Sequence, residues 1–377
     1  MIVQECSRRT GSRVERNKSY LTDLFVGEFP GHGIIVNHTG QTVPSPGDFT
    51  IGDRPEEDWV AHYVDQYEAR VRYHDALEDE SVPFVNLNTN TGVFAAAFGC
   101  PLHTYDAATN AAARPIVTTA AEADALRAPT LSAPTLRRVM RMAELLREEL
   151  GPDAPISVPD IQSPFDIAAL IWNKEEFFMA LVLEPDAVKR LVRKTTDLLT
   201  EFLKEFMTRI GNVNLCHCPN AWAPNELGMW LSEDEAGSIS SEMFEEFCLP
   251  SLIELSETFG GMFVHCCANA DHQYDSFLKI PNLRGLNRVF TSHPRNTIEK
   301  FGSIVHIPAW MGEEDCCRLL DMARPESRFL FNMNGCEIPE ARELVGRMKE
   351  RMAVGGRGSR RATGSGSGME SADAQGR

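Results

Sequence analysis

His265 and Cys267 stand two residues apart in the apolar run "GMFVHCCAN", and Cys336 follows in "FNMNGCEIP". The first run reads as a buried strand. Side chains two apart on a strand share a face, so His265 and Cys267 can grip one ion while Cys266 turns away. Cys336 sits where another strand-like run, "SRFLFNMNGC", ends. One imidazole and two thiolates suit Zn²⁺ with a fourth position left for water or substrate, a pattern of catalysis more than of structural stapling. Against this stands the plain alternative that buried free cysteines often serve as small hydrophobes.

Further candidates lie at the ends of other strand-like runs. Asp160 and Gln162 in "SVPDIQSPFD" share a face near a strand end, Asp160 with a catalytic role in prospect and Gln162 with a substrate contact. Asn86, Asn88 and Asn90 in "VNLNTN" alternate onto one face and could hold a polar ligand or satisfy loop backbone. His217 in "NLCHCPNAW" ends a run in which Cys216 and Cys218 face the opposite way. Either His217 reaches the site as a catalytic residue or the two thiols do, as a rival metal pair, but alternation excludes all three.

These residues need elements to position them. Strand-like segments are His32–His38, Val82–Asn90, Pro155–Pro164, Val213–Asn220, Gly261–Asn269, Leu283–Val289, Ser303–Trp310 and Arg328–Cys336. Helical patterns separate most of them, over Pro55–Asp79, Ser132–Glu149, Pro185–Ile210, Ser240–Phe259, Glu313–Met322 and Pro339–Met352. Eight strands alternating with helices predict a single parallel (β/α)₈ barrel over residues 21–354, with the site at the C-terminal strand ends. The Ala-rich stretch Thr91–Leu131 reads as an insertion. Residues 1–20 read as a flexible, solvated N-terminal arm, and the Gly/Ser/Arg-rich 355–377 as a disordered tail.

The 377 residues are 43% hydrophobic, enough for one large core. A net charge of −17 argues against nucleic acid or an anionic membrane as the main partner. Ten cysteines without small-domain spacing read as reduced thiols of a cytoplasmic enzyme. The polar N-terminus has no secretory h-region, and no apolar run approaches the roughly 20 residues that span a bilayer.

At these residues the chain resembles the uroporphyrinogen decarboxylase superfamily, closest to its cobalamin-dependent methyltransferase branch, which includes methylcobalamin:coenzyme M methyltransferase. The resemblance runs through "FAAAFGCPLH", "ARPIVTTAAEADAL", "PISVPDIQSPFDIAALIWNKEEFFMALVLEPDAVKRLV", "SEMFEEFCLPSLIEL", "VHCCAN" and "NGCEIP". It implies a TIM barrel, zinc held by His265, Cys267 and Cys336, a zinc-activated thiol, and a corrinoid (methylcobalamin) supplied by a partner protein as methyl donor or acceptor. Ala268 departs from the glycine usual after the Cys. The decarboxylases' arginine-bearing "P-x-W-x-M-R-Q-A-G-R-Y" segment is missing; "LFVGEFPGHG" near that position has no arginine. A porphyrinogen with eight carboxylates needs cationic partners, which weighs against that substrate. The leading expectation is a zinc-dependent methyltransferase acting between a corrinoid protein and a thiol or related small acceptor. The rivals are a metal-free decarboxylase or lyase on the same barrel, and a non-catalytic corrinoid- or metal-binding accessory protein.

Overall fold

A computed structural model describes residues 2–104, 111–288 and 293–362, with backbone alone at 2–10 and 354–362. It is an α/β fold built on a parallel sheet. Its parallel strands are β1 (Gly33–Val36), β2 (Ile156–Ser157), β3 (Val213–Asn214), β4 (Met229–Ser232), β5 (Met262–Cys266), β6 (Leu283–Arg288), β7 (Val305–His306), β8 (Ala309–Met311) and β9 (Arg328–Met333), and a short antiparallel pair, Leu102–His103 with Ala112–Ala113, lies apart from them. Parallel pairing runs β1-β9-β7-β6-β5-β4, with β8 also on β9. Single bonds continue the order: Glu80 N donates to Ile34 O at 2.9 Å, Val85 N to Pro155 O at 2.8 Å, and Ser232 N to Ile161 O at 2.9 Å. This is the arrangement of a parallel barrel, as the alternation predicts.

Among the longer helices are α1 (Ile2–Phe25), α2 (Glu57–Ala76), α3 (Pro134–Leu150), α4 (Pro164–Ile171), α5 (Pro185–Ile210) and α6 (Ile338–Ala362). In α5 the buried residues Val188, Leu191, Val192, Thr195, Leu198, Leu199, Phe202 and Phe206 recur at helical spacing, which fixes one face against the core. Among the described residues no helix is long and apolar enough to cross a membrane.

Several expected strands are shorter than the sequence suggests. Prolines 83, 155, 159 and 164 withhold backbone donors from the ladder, so Val82–Asn90 contributes a single bridge at Val85 and the third run only Ile156–Ser157. The fourth run stops at Asn214. Its side chain accepts from Cys216 N at 3.3 Å and donates to Ala221 O at 2.8 Å, turning the chain out of the sheet. The strand that then takes its place beside β5 is β4, "MWLS", which the sequence reading omits.

The segment expected as a solvated arm is helix α1. Leu21 and Leu24 are fully buried, and Phe25 packs edge-on against Phe263 with ring centroids 5.0 Å apart. Asn17 Nδ2 donates to Asp79 O at 3.0 Å and Ser81 O at 2.8 Å, and Arg13 pairs with Asp79 at 3.8 Å. At the other end α6 continues to Ala362, beyond the Gly355 at which the tail was expected to begin; residues 363–377 lie outside those described.

The barrel interior is layered. Ile35, Trp230, Phe263, Val305, Ile307 and Leu330 share one apolar cluster with Leu21 and Leu24, and Trp230 stacks on Phe263 at 4.4 Å. Gly285 makes room for this stack, since a Cβ there would meet Phe263 Cδ1 at 2.6 Å. Two residues further along the same strands the inward positions become polar: Ser232, His265, Asn287 and Asn332.

Asn17→Ala removes the partner of two buried-side carbonyls. Urea denaturation of the full chain should show a loss of about 1–2 kcal/mol with unchanged slope. No loss would mean that the N-terminal segment does not dock.

Candidate functional site

The site forms where β4, β5 and β6 end. Parallel register sets Ser232 beside His265 and His265 beside Asn287. The Asn287 amide nitrogen donates to Ile307 O, which turns its Oδ1 onto His265 Nδ1. An acceptor there places the ring proton on Nδ1 and leaves the Nε2 lone pair free for a metal.

Beyond Ser232 the chain supplies Asp234. Its position is dictated from α4: the Asp166 carboxylate accepts Asp234 N at 2.7 Å and Glu235 N at 3.1 Å. Asp166 itself sits in the first turn of α4, its N–H bonded to the N-cap hydroxyl of Ser163 at 2.9 Å. Asp234 Oδ1 then accepts Cys267 N at 2.6 Å, tying the two loops together. Ala268, where the family resemblance has glycine, fits because position 237 is glycine: a Cβ there would lie 2.7 Å from that of Ala268.

One ligand atom each from Asp234, His265 and Cys267 lie within 4.8 Å of one another, the only such group of three or more metal-binding side chains among the described residues. His265 is buried, Asp234 partly buried and Cys267 exposed. Cys266 is fully buried in the apolar core, on the opposite face, as alternation requires. Cys336, the expected third ligand, is outside the group. The chain leaves β9 at Met333 and turns, so that the Cys336 carbonyl accepts from Tyr73 OH at 2.6 Å and Thr39 Oγ1 at 3.3 Å. Its side chain packs at the margin of the apolar cluster around β1 and β9. The third member of the group is Asp234.

The loop after β3 overturns the either/or expected for residues 216–218. Because strand geometry has ended, alternation no longer applies. His217 Nδ1 lies 3.9 Å from Asp160 Oδ2, while Cys218 Sγ lies 3.6 Å from His265 Nδ1. Only Cys216 turns away, its thiol donating to Pro219 O at 3.1 Å in a fully buried setting. Burial lowers His217 to about 3, so it is neutral at pH 7, and its buried Nε2 has no hydrogen-bond partner. Burial raises Asp160 to about 6, although 23% of its side chain stays open to solvent. Gln162 orients it by donating Nε2 to Asp160 Oδ1.

The asparagine row dissolves. Asn86 Nδ2 donates to Asn220 Oδ1 at 2.8 Å, Asn332 Nδ2 to Asn220 O at 2.7 Å, and Asn37 Nδ2 to Asn332 Oδ1 at 2.9 Å. This amide chain anchors the loop bearing His217 and Cys218. Asn88 is exposed, and Asn90 binds Asp48 Oδ2 at 2.6 Å and Thr50 Oγ1 at 2.8 Å.

Carboxyl groups crowd behind the ligands. Burial, then the Asp166 carboxyl, raises fully buried Glu233 well above the ordinary range. Burial, then Asp234, raises Asp166. Although the residue is exposed, the protein packed around its sulfur, then Asp234, raises the Cys267 thiol to about 12, so only a cation would hold it as thiolate near neutrality. Because Glu233 holds its proton more tightly folded than unfolded, stability falls as pH rises above about 4.5, where the unfolded chain ionises first. Glu233→Gln removes that slope. Its melting-temperature gain over the wild type should therefore grow from pH 5 to pH 8, and a constant difference would contradict the raised carboxyl.

The sequence matches the family model described as Uroporphyrinogen decarboxylase (URO-D) over residues 84–287, more than half of the chain. No curated protein gives a match. Among solved structures, a methyltransferase from Methanosarcina mazei is similar at a TM-score of 0.60 and 13% identity, covering 89% of this chain and 98% of that one. At that identity the likeness is one of fold. The family match spans Asp160, His217, Asp234, His265 and Cys267, and it ends at Asn287, the partner of His265. The chain belongs to the uroporphyrinogen decarboxylase family.

Proposed function

We propose that the chain is a zinc-dependent methyltransferase moving a methyl group between a corrinoid carried by a partner protein and a small thiol. The observation that carries this reading is the convergence of Asp234, His265 and Cys267 at the strand ends of a barrel of this family. The fold shared with a methyltransferase supports it. A nitrogen, a sulfur and a carboxylate oxygen within mutual reach fit zinc, and three ligands leave a position for substrate. Zinc held there supplies one thing: it stabilises a bound sulfur as thiolate near neutral pH.

The protein's own residues do the rest. Asn287 holds the His265 tautomer and ring plane. Asp166 fixes the backbone of Asp234, and Asp234 fixes that of Cys267. Asp160, raised to about 6, keeps a mostly ionised carboxylate at the site near neutral pH, with Gln162 setting its orientation, and the proton that a thiol gives up on binding passes to solvent. Neutral His217 lies beside it, its Nδ1 3.9 Å from the Asp160 carboxylate. A methyl-corrinoid presented by the partner would supply an electrophilic methyl carbon and would leave with the bonding electron pair, while this chain's residues hold the thiolate sulfur that accepts the methyl.

Metal analysis should find about one zinc per wild-type chain. Cys267→Ala should lose it, Cys266→Ala and Cys336→Ala should retain it, and Asn287→Ala should bind it ~10–100-fold more weakly. Equal losses from Cys266→Ala and Cys267→Ala would refute the ligand assignment. With methylcobalamin and a panel of small thiols, the methyl–cobalt absorbance should fall only with the zinc-loaded protein. Turnover that survives zinc removal would refute the function.

A further inference from the structure

Beside the metal ligands stands a residue with no role so far. Trp310, in β8, lies edge-on to His265 with ring centroids 6.3 Å apart. It is 48% exposed, and among the described residues it is the only aromatic side chain in the set of exposed large hydrophobics. Its backbone is in the left-handed region at φ 58°, costly for a bulky residue without glycine's freedom. A fold that holds a large ring in a costly conformation, half in solvent, next to its metal ligands gains nothing in core packing from it. What the ring offers is its π-face.

The charges around it are of one sign. Asp160 and Asp234 have no Lys or Arg partner among the described residues; the contact of Asp160 is His217, and Asp234 receives backbone N–H groups. Two cations beside the ligand loops are already engaged. Arg288 pairs with Asp271 at 3.0 Å and donates to Cys266 O at 3.1 Å, and Lys174 pairs with Glu235. With zinc present, one carboxylate and two thiolates (those of Cys267 and the substrate) already exceed the dication by one negative charge. Asp160 adds another. A substrate bringing a carboxylate or sulfonate would meet like charge with nothing to pair it, whereas a substrate bringing an ammonium would meet an open ring face and an unpaired carboxylate.

We propose that Trp310 and Asp160 form a cation subsite beside Asp234, His265 and Cys267, and that the methyl acceptor is a thiol bearing an ammonium group, of the aminothiol class. The inference rests on the methyltransferase reading for the sulfur end of the substrate and on Trp310 and Asp160 for its other end. The ammonium is a handle. It is unchanged by the reaction and fixes how far the sulfur reaches toward the metal ligands.

A matched series of thiols on the zinc-loaded full chain tests it: 2-aminoethanethiol, 2-mercaptoethanol and 2-mercaptoethanesulfonate have the same reach and differ in charge. Calorimetric Kd values should rank the cation tightest and the sulfonate weakest. Trp310→Ala should weaken 2-aminoethanethiol roughly 3- to 30-fold with little effect on 2-mercaptoethanol. Asp160→Asn should narrow the gap between the cationic and anionic thiols, and both variants should keep their zinc. A preference for the sulfonate, or an equal loss for all three thiols in Trp310→Ala, overturns the proposal. Tetramethylammonium, which has no sulfur, separates the subsite from the function. On the metal-free chain, binding that Trp310→Ala abolishes supports the subsite and absence of binding overturns it, whether or not zinc is retained or methyl is transferred.

Discussion

Everything at the strand ends depends on the parallel register that sets His265 between Ser232 and Asn287. A slip of one residue would send His265 into the apolar layer outside the sheet and bring Cys266 inward. The layer beneath holds the register. Trp230 stacked on Phe263 fills the barrel interior, Gly285 clears the space they need, and α1 closes over them with Leu21, Leu24 and Phe25. The apolar floor thus pins the polar ceiling: each inward aromatic is two residues below an inward polar group. Asn287 then converts position into chemistry, since its amide decides which imidazole nitrogen is free.

Around that fixed point the protein gathers negative charge in a setting that resists ionisation. Asp166, Glu233 and Asp160 are all driven upward mainly by burial. Such a cluster costs stability at neutral pH in the absence of a counter-charge. A dication bound to Asp234, His265 and Cys267 would relieve it, coupling metal binding to folding. The same electrostatics bear on the substrate, because Asp160 and Asp234 have no Lys or Arg partner among the described residues.

The sequence made the alternation of parallel strands with helices and the His265–Cys267 pair legible, since these follow from local periodicity and from the two-residue repeat of a strand, but not β4, which lies beside β5. It did not reveal Asp234. That residue reaches the site only because Asp166, on a helix 68 residues earlier, captures its backbone N–H, and no local pattern encodes such a capture. Cys336 was assigned inward because a strand was extended past its end; the chain turns after Met333 and hands the cysteine's carbonyl to Tyr73. The same over-extension separated His217 from Cys218, which a loop brings together. The first two-thirds of helix α1 escape notice because Arg13 and Asn17, which dock them, are polar and bind carbonyls and a carboxylate, while the apolar anchors Leu21, Leu24 and Phe25 come only at its end. Trp310 was visible at the end of "IVHIPAW", but neither its exposure nor its backbone conformation can be read from residue type.

If Asp234, His265 and Cys267 hold the zinc, its shell contains one protein sulfur. Zinc-edge X-ray absorption on the zinc-loaded full chain, free of added thiols, tests it most directly. The expected spectrum has one sulfur neighbour at about 2.3 Å with nitrogen and oxygen completing the shell, and Cys336→Ser leaves it unchanged. Two sulfur neighbours in the wild type, falling to one in Cys336→Ser, would contradict the account.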